Sequence, residues 1–125
     1  MATIQPTITV LNRELDGNQN GAAILVSWLA VTENDVAAPV QYVALPDRSV
    51  QFEGTFGGAT CKLVGSNDGS NYRELTDPQG NDISKTTTGD LEAVTEITRY
   101  TKPLYSGGTL QSMNCYLLCA GARRG

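Results

Sequence analysis

The chain contains no histidine. That removes imidazole acid–base catalysis and every Ser-His-Asp or Cys-His pair, and it excludes a Cys/His zinc site. Cysteine is sparse: Cys61, Cys115 and Cys119 form an odd set, which suits a closed disulfide framework poorly. Cys115 and Cys119 stand four residues apart, about 13 Å along an extended strand, so they cannot bond to each other there. Buried free thiols acting as small hydrophobes are expected. Charge is thin, at 18% of residues, and 13 acidic against 9 basic residues leave a net charge of −4. Phosphate backbones are gripped with clustered Lys and Arg, so no nucleic-acid partner is expected. The one basic pair, Arg123-Arg124, reads as a solvated tail. No apolar run approaches the ~18 residues of a membrane span, and no membrane partner is expected. The start, "MATIQPTITVLNREL", lacks the charged opening and long apolar run of a signal peptide. A chain made in a reducing cytosol, and soluble there, is the expectation.

What is present is the material of short strands. The chain has 125 residues, 40% of them hydrophobic, enough for one ordinary domain. Its 13 glycines favour turns over long helices. "TIQPTITVLN" is rich in β-branched residues but broken by Pro6, so residues 1–21 read as an N-terminal arm or edge strand that leads into a β-sandwich over 22–125. "LDGNQNG", 15–21, is a turn cluster. "AAILVSWLAV", 22–31, reads as a strand with Ala22, Ile24, Val26 and Trp28 on one face and Ala23, Leu25 and Leu29 on the other. Both its faces are then expected to be covered, by a second sheet, a loop or another subunit. Residues 32–47 read as a connection holding an extended piece, "PVQYVAL".

The clearest alternation follows. "RSVQFEGTF" sends Val50, Phe52, Gly54 and Phe56 inward against Gln51, Glu53 and Thr55. Gly57-Gly58 turns the chain, and "ATCKLVG" puts Ala59, Cys61 and Leu63 on one face. "NYREL" begins another strand, and "TDPQGNDI" is a turn around Pro78 and Gly80. "LEAVTEITRYTKPLY" carries one or two strands with a possible helical turn at its start. "TLQSMNCYLLCAG" places Met113, Cys115, Leu117 and Cys119 on one face and Leu110, Tyr116 and Leu118 on the other. About seven to nine short strands with regular turn signals predict an all-β, antiparallel β-sandwich or jelly-roll-like single domain.

No constellation of reagents emerges. "GTFGG" lacks the Lys-Ser/Thr ending of a phosphate loop. Carboxylate pairs for glycoside hydrolysis can be drawn from Glu53, Asp68, Glu74, Asp77, Asp82, Asp90, Glu92 and Glu96, but any chain this acidic offers such pairs. "SNDGSN" and "DPQGND" gather oxygens that attract calcium, yet neither is a 12-residue ligand ladder between helices. Asn and Asp bonding their own backbone, with Asp-Gly tolerating positive φ, favours plain reversals. No enzyme activity, cofactor or metal is expected.

Residues 48–81, "RSVQFEGTFGGATCKLVGSNDGSNYRELTDPQGN", resemble a core found in small virion proteins of tailed bacteriophages, where "GTFGGAT", "GSNDGSNY" and "DPQGN" follow at this spacing. The likeness continues weakly through "VTEITRYTKPLYSGG" into the last strand, and it departs at Tyr72, where Trp is common. Residues 1–47 match less well. The resemblance implies a capsid decoration or cement protein that bridges major capsid subunits and self-associates. Its place would be the capsid surface of the virion, reached after synthesis in the host cytoplasm. The alternative is a carbohydrate-binding or tail- or fibre-associated module. On this reading Thr3, Ile4, Thr7, Ile8, Val10 and Leu11 reach a neighbour by strand addition. Asn67, Asp68, Gly69 and Ser70, with Pro78, Gln79, Gly80 and Asn81, form exposed rims.

Overall fold

A computed structural model describes residues 2–12, 23–87 and 91–121. The 15–21 turn cluster, Ala22, Asp90 and the Arg123-Arg124 pair lie outside them. The strands are β1 (Ala2–Ile4), β2 (Thr7–Asn12), β3 (Ala23–Val31), β4 (Asp35–Ala37), β5 (Asp47–Thr55), β6 (Thr60–Ser66), β7 (Arg73–Glu74), β8 (Ser84–Lys85), β9 (Leu91–Ala93), β10 (Tyr100–Ser106) and β11 (Ser112–Ala120). No helix occurs among the described residues, so none is long and apolar enough to cross a membrane.

The strands form an antiparallel β-sandwich. One sheet has five strands in the order β2-β3-β11-β5-β9. The other centres on β6, with β10 on one side and the short β7 and β8 sharing the other. A small parallel pair, β1 with β4, sits beside them. Alternation builds the interior as the sequence predicts: Ile24, Val26 and Trp28 of β3, Val50 and Phe52 of β5, and Met113, Cys115, Leu117 and Cys119 of β11 meet Cys61 and Leu63 of β6. Fully burying such side chains stabilises the fold by roughly 1.5–3 kcal/mol each. Phe52 meets Tyr105 edge to face across the sandwich, ring centroids 6.4 Å apart. Trp28 is wholly buried and its indole Nε1–H donates to the Ala38 carbonyl at 2.7 Å. At the rim, Lys85 of β8 forms an ion pair with Glu92 of β9, which ties the two sheets together.

The structure revises several local expectations. Pro6 divides the N-terminal stretch: β1 joins β4, while β2 turns to pair with β3. Within 32–47 the short strand is Asp35–Ala37; "PVQYVAL" is a loop, with a single bridge from Val40 to Thr101. Leu91–Ala93 is strand rather than a helical turn. Within one chain the outer face of β3 is only partly covered, with Leu29 at 45% exposure, so the second sheet and the loops do not supply the whole cover.

Candidate functional site

The two inner faces are alike, so any distinctive surface must come from the outer faces, the loops or the edges. Outward residues of the five-stranded sheet stand in rows fixed by register. Thr9, Leu25, Leu118, Ser49 and Ala93 make one row, and Thr7, Ser27, Tyr116, Gln51 and Leu91 the next. Such outward positions are usually polar. Here Leu25, Leu91, Leu118 and Tyr116, with Ser49 and Gln51, line a shallow depression of about 250 Å³. Leu91 is 66% exposed and Leu118 37%. A β-bulge ends this surface: Ala30, at φ 56, donates its N–H to Asn114 Oδ1 at 2.9 Å, and the extra residue returns Val31 to the interior.

The outer face of the second sheet is built differently. Lys62 Nζ lies 3.1 Å from Glu74 Oε2, and Lys102 Nζ sits 4.4 Å from the centroid of the Tyr72 ring. Arg99 lies 5.1 Å from the Tyr100 ring centroid, and a Cβ on Gly69 would come within 3.1 Å of that ring. Tyr72 and Tyr100 are both half-buried, and each already carries a cation, so they do not form a bare stacking platform. Lys62 holds the Glu74 carboxyl below its usual range, while the hydrogen-bonded Glu74 raises Asp82.

The loop of residues 67–71 engages its carboxylate in its own hydrogen bonds. Asp68 Oδ1 accepts from Ser66 Oγ and from the N–H groups of Ser70 and Asn71, each at 2.8 Å, and Oδ2 accepts from Asn71 Nδ2. The Asn71 and Ser70 amides, then the side chains of Asn71 and Ser66, hold this carboxyl far below the usual range. Asn67 Oδ1 accepts the Arg99 N–H at 3.0 Å, which fastens the loop to the approach to β10. The second turn is closed the same way. Asp77 Oδ1 accepts the Gln79 and Asn81 N–H groups, each at 3.0 Å, and Gly80 takes φ +87. Asn67, Asp68, Gly69 and Ser70, and Pro78, Gln79, Gly80 and Asn81, are exposed, in two separately anchored turns.

At the N-terminus, Thr3 is exposed and Ile4 half-buried in β1, and Thr7, Ile8, Val10 and Leu11 are exposed on β2. The structure thus divides the six predicted interface residues between two pairings.

Sequence reading missed two anchors. Arg48 points inward on β5 and is 4% exposed. Its guanidinium donates to the carbonyls of Leu45 and Tyr42 and to Thr101 Oγ1, and burial lowers its pKa. Its position in the alternation, two before Val50, was the available signal. The other is Leu110, at φ 54 and 88% exposed, whose N–H donates to Glu33 Oε2 at 3.0 Å. Burial pushes the Cys61 thiol up to about 12 and Cys119 to about 11, and Cys115 is raised as well; all three are free.

Compared with family models, curated proteins and solved structures, the chain matches none.

Proposed function

We propose that this protein acts by adhesion, as a structural module of a tailed-bacteriophage virion that decorates the head, binds and bridges major capsid subunits, and associates with itself. The observation that carries the adhesive part is the apolar outer face of the five-stranded sheet, with Leu25, Leu91, Leu118 and Tyr116 around a shallow hollow. Covering it removes apolar surface from water at roughly 25 cal/mol per Å². The virion assignment rests on the resemblance of residues 48–81. A ligand that binds only the assembled shell stabilises that shell by mass action, and many symmetric copies multiply a modest contact.

The test uses phage with this gene deleted. Purified protein added to the mutant heads is expected to co-sediment with them and to raise the temperature at which they lose DNA. Leu118→Glu is expected to weaken binding at least tenfold. Heads as heat-resistant without the protein as with it would end the cement role. Specific attachment to tails or fibres, or to glycans on an array, would move the chain to the alternative reading.

A further inference from the structure

Sheet edges carry unpaired backbone groups, and natural proteins guard them with short strands, charge, proline or a covering segment. Most margins of this sandwich are guarded. β9 is three residues long and carries Glu92. β7 and β8 are two residues each and carry Arg73, Glu74 and Lys85. β10 contains Lys102 and Pro103, and Val40 bridges to its Thr101 on the side away from β6. Among the described residues, β2 has none of these devices. It runs for six residues, "TITVLN", without charge or proline. β3 pairs with one of its edges, and among the described residues no strand pairs with the other.

The register adds a second observation. Ile8 stands opposite Val26, and Val10 opposite Ile24. Val26 and Ile24 in turn face Leu117 and Cys119. Two apolar rows therefore run from the centre of the core to its margin, where Ile8 is 39% and Val10 48% exposed. Among the described residues, nothing fully covers Ile8 and Val10 or pairs with the hydrogen-bonding groups on the free side of β2.

We infer that β2 is a homodimerisation edge: β2 of one copy pairs antiparallel with β2 of a second about a two-fold axis. The two five-stranded sheets become one continuous sheet, and Ile8 and Val10 of both copies close the open rows. A second copy is the occupant because the edge is self-complementary. An antiparallel strand of the same sequence supplies the matching donors and acceptors. An uncharged strand also meets itself without like charges opposed. The inference rests on the expectation of self-association above and names the surface that provides it.

Sedimentation velocity of the purified chain across a concentration series tests it, paired with amide exchange of residues 7–12. A concentration-dependent dimer is expected, in which the Thr7–Asn12 amides that point away from β3 become protected. Val10→Lys puts like charges near the two-fold axis at an exposed position, and is expected to raise the dimer dissociation constant at least tenfold. Leu118→Glu should leave it unchanged. A chain that stays monomeric at every concentration overturns the inference, as does a dimer in which β2 amides gain no protection. If Val10→Lys fails to fold, exchange in the unaltered protein decides alone. The two proposals fail separately: a β2 dimer that ignores heads overturns only the capsid reading, and a monomer that binds heads overturns only this one.

Discussion

The outer faces of the two sheets share a fold and differ in chemistry. On the β6 sheet, outward positions hold Lys62 paired with Glu74 and Lys102 over Tyr72, with Leu104 opposite Lys62 as an isolated exposed leucine. On the five-stranded sheet the corresponding positions hold Leu25, Leu118 and Leu91 around Tyr116. The interior needs neither pattern, since inward residues supply the core on both sides. An outward leucine row contributes little to folding while water still covers it, so the contrast says which side of the sandwich is suited to contact.

The largest effect should come from breaking what both faces depend on. Arg48→Met removes the donor shared by Leu45 O, Tyr42 O and Thr101 Oγ1; buried acceptors left unpaired cost roughly 1–3 kcal/mol each. A stability loss of about 2–4 kcal/mol is expected, read by denaturant titration on the fluorescence of the single Trp28. Next, Gly54→Ala should lower the midpoint of the same titration. Gly54 lies at φ +110, and an added Cβ would fall 2.3 Å from the Ser112 carbonyl oxygen, between β5 and β11. The outer faces themselves separate at the third step. Leu118→Glu should cost adhesion but shift stability by no more than about 0.5–1 kcal/mol, whereas Lys62→Ala on the opposite face should leave both stability and head binding unchanged. Equal loss of binding from the two substitutions would erase the contrast.

The smallest effect is local and acid-dependent. The Asp68 carboxyl is lowered by amides and side chains of its own loop. A depressed folded-state value means its contribution is present above the unfolded value of about 3.9 and is lost as pH falls below it. Exchange at the Ser70 and Asn71 amides should therefore accelerate, relative to the intrinsic rate, as pH drops below about 4. No acceleration would show that the carboxylate does not hold the loop.

Period-2 patterning made the core strands readable, because β5 and β11 alternate along most of their length and β3 and β6 over their first four residues. Turns were readable where Asp, Asn and Gly meet, at 67–71 and 77–81. The bulge at Ala30 was not, since alanine gives no signal of positive φ and Asn114 holds it from 84 residues away. The β1–β4 pairing was hidden for a similar reason: it is parallel, and depends on where Pro6 sends the chain. As for the surface, Leu25, Leu29 and Leu118 were legible as apolar, but not as uncovered. Whether an outward leucine meets solvent or another layer depends on which strands pack over it, and a linear pattern does not carry that information.

β11, the last strand among the described residues, lies in the middle of the five-stranded sheet, between β3 and β5. A ribosome making this protein therefore releases β3 and β5 long before the strand that must separate them exists. Non-local pairing of this kind is slow and waits on the distant segment. The sheet cannot close until residue 120 has emerged from the exit tunnel, so a product terminated before β11 lacks the strand that joins β3 to β5.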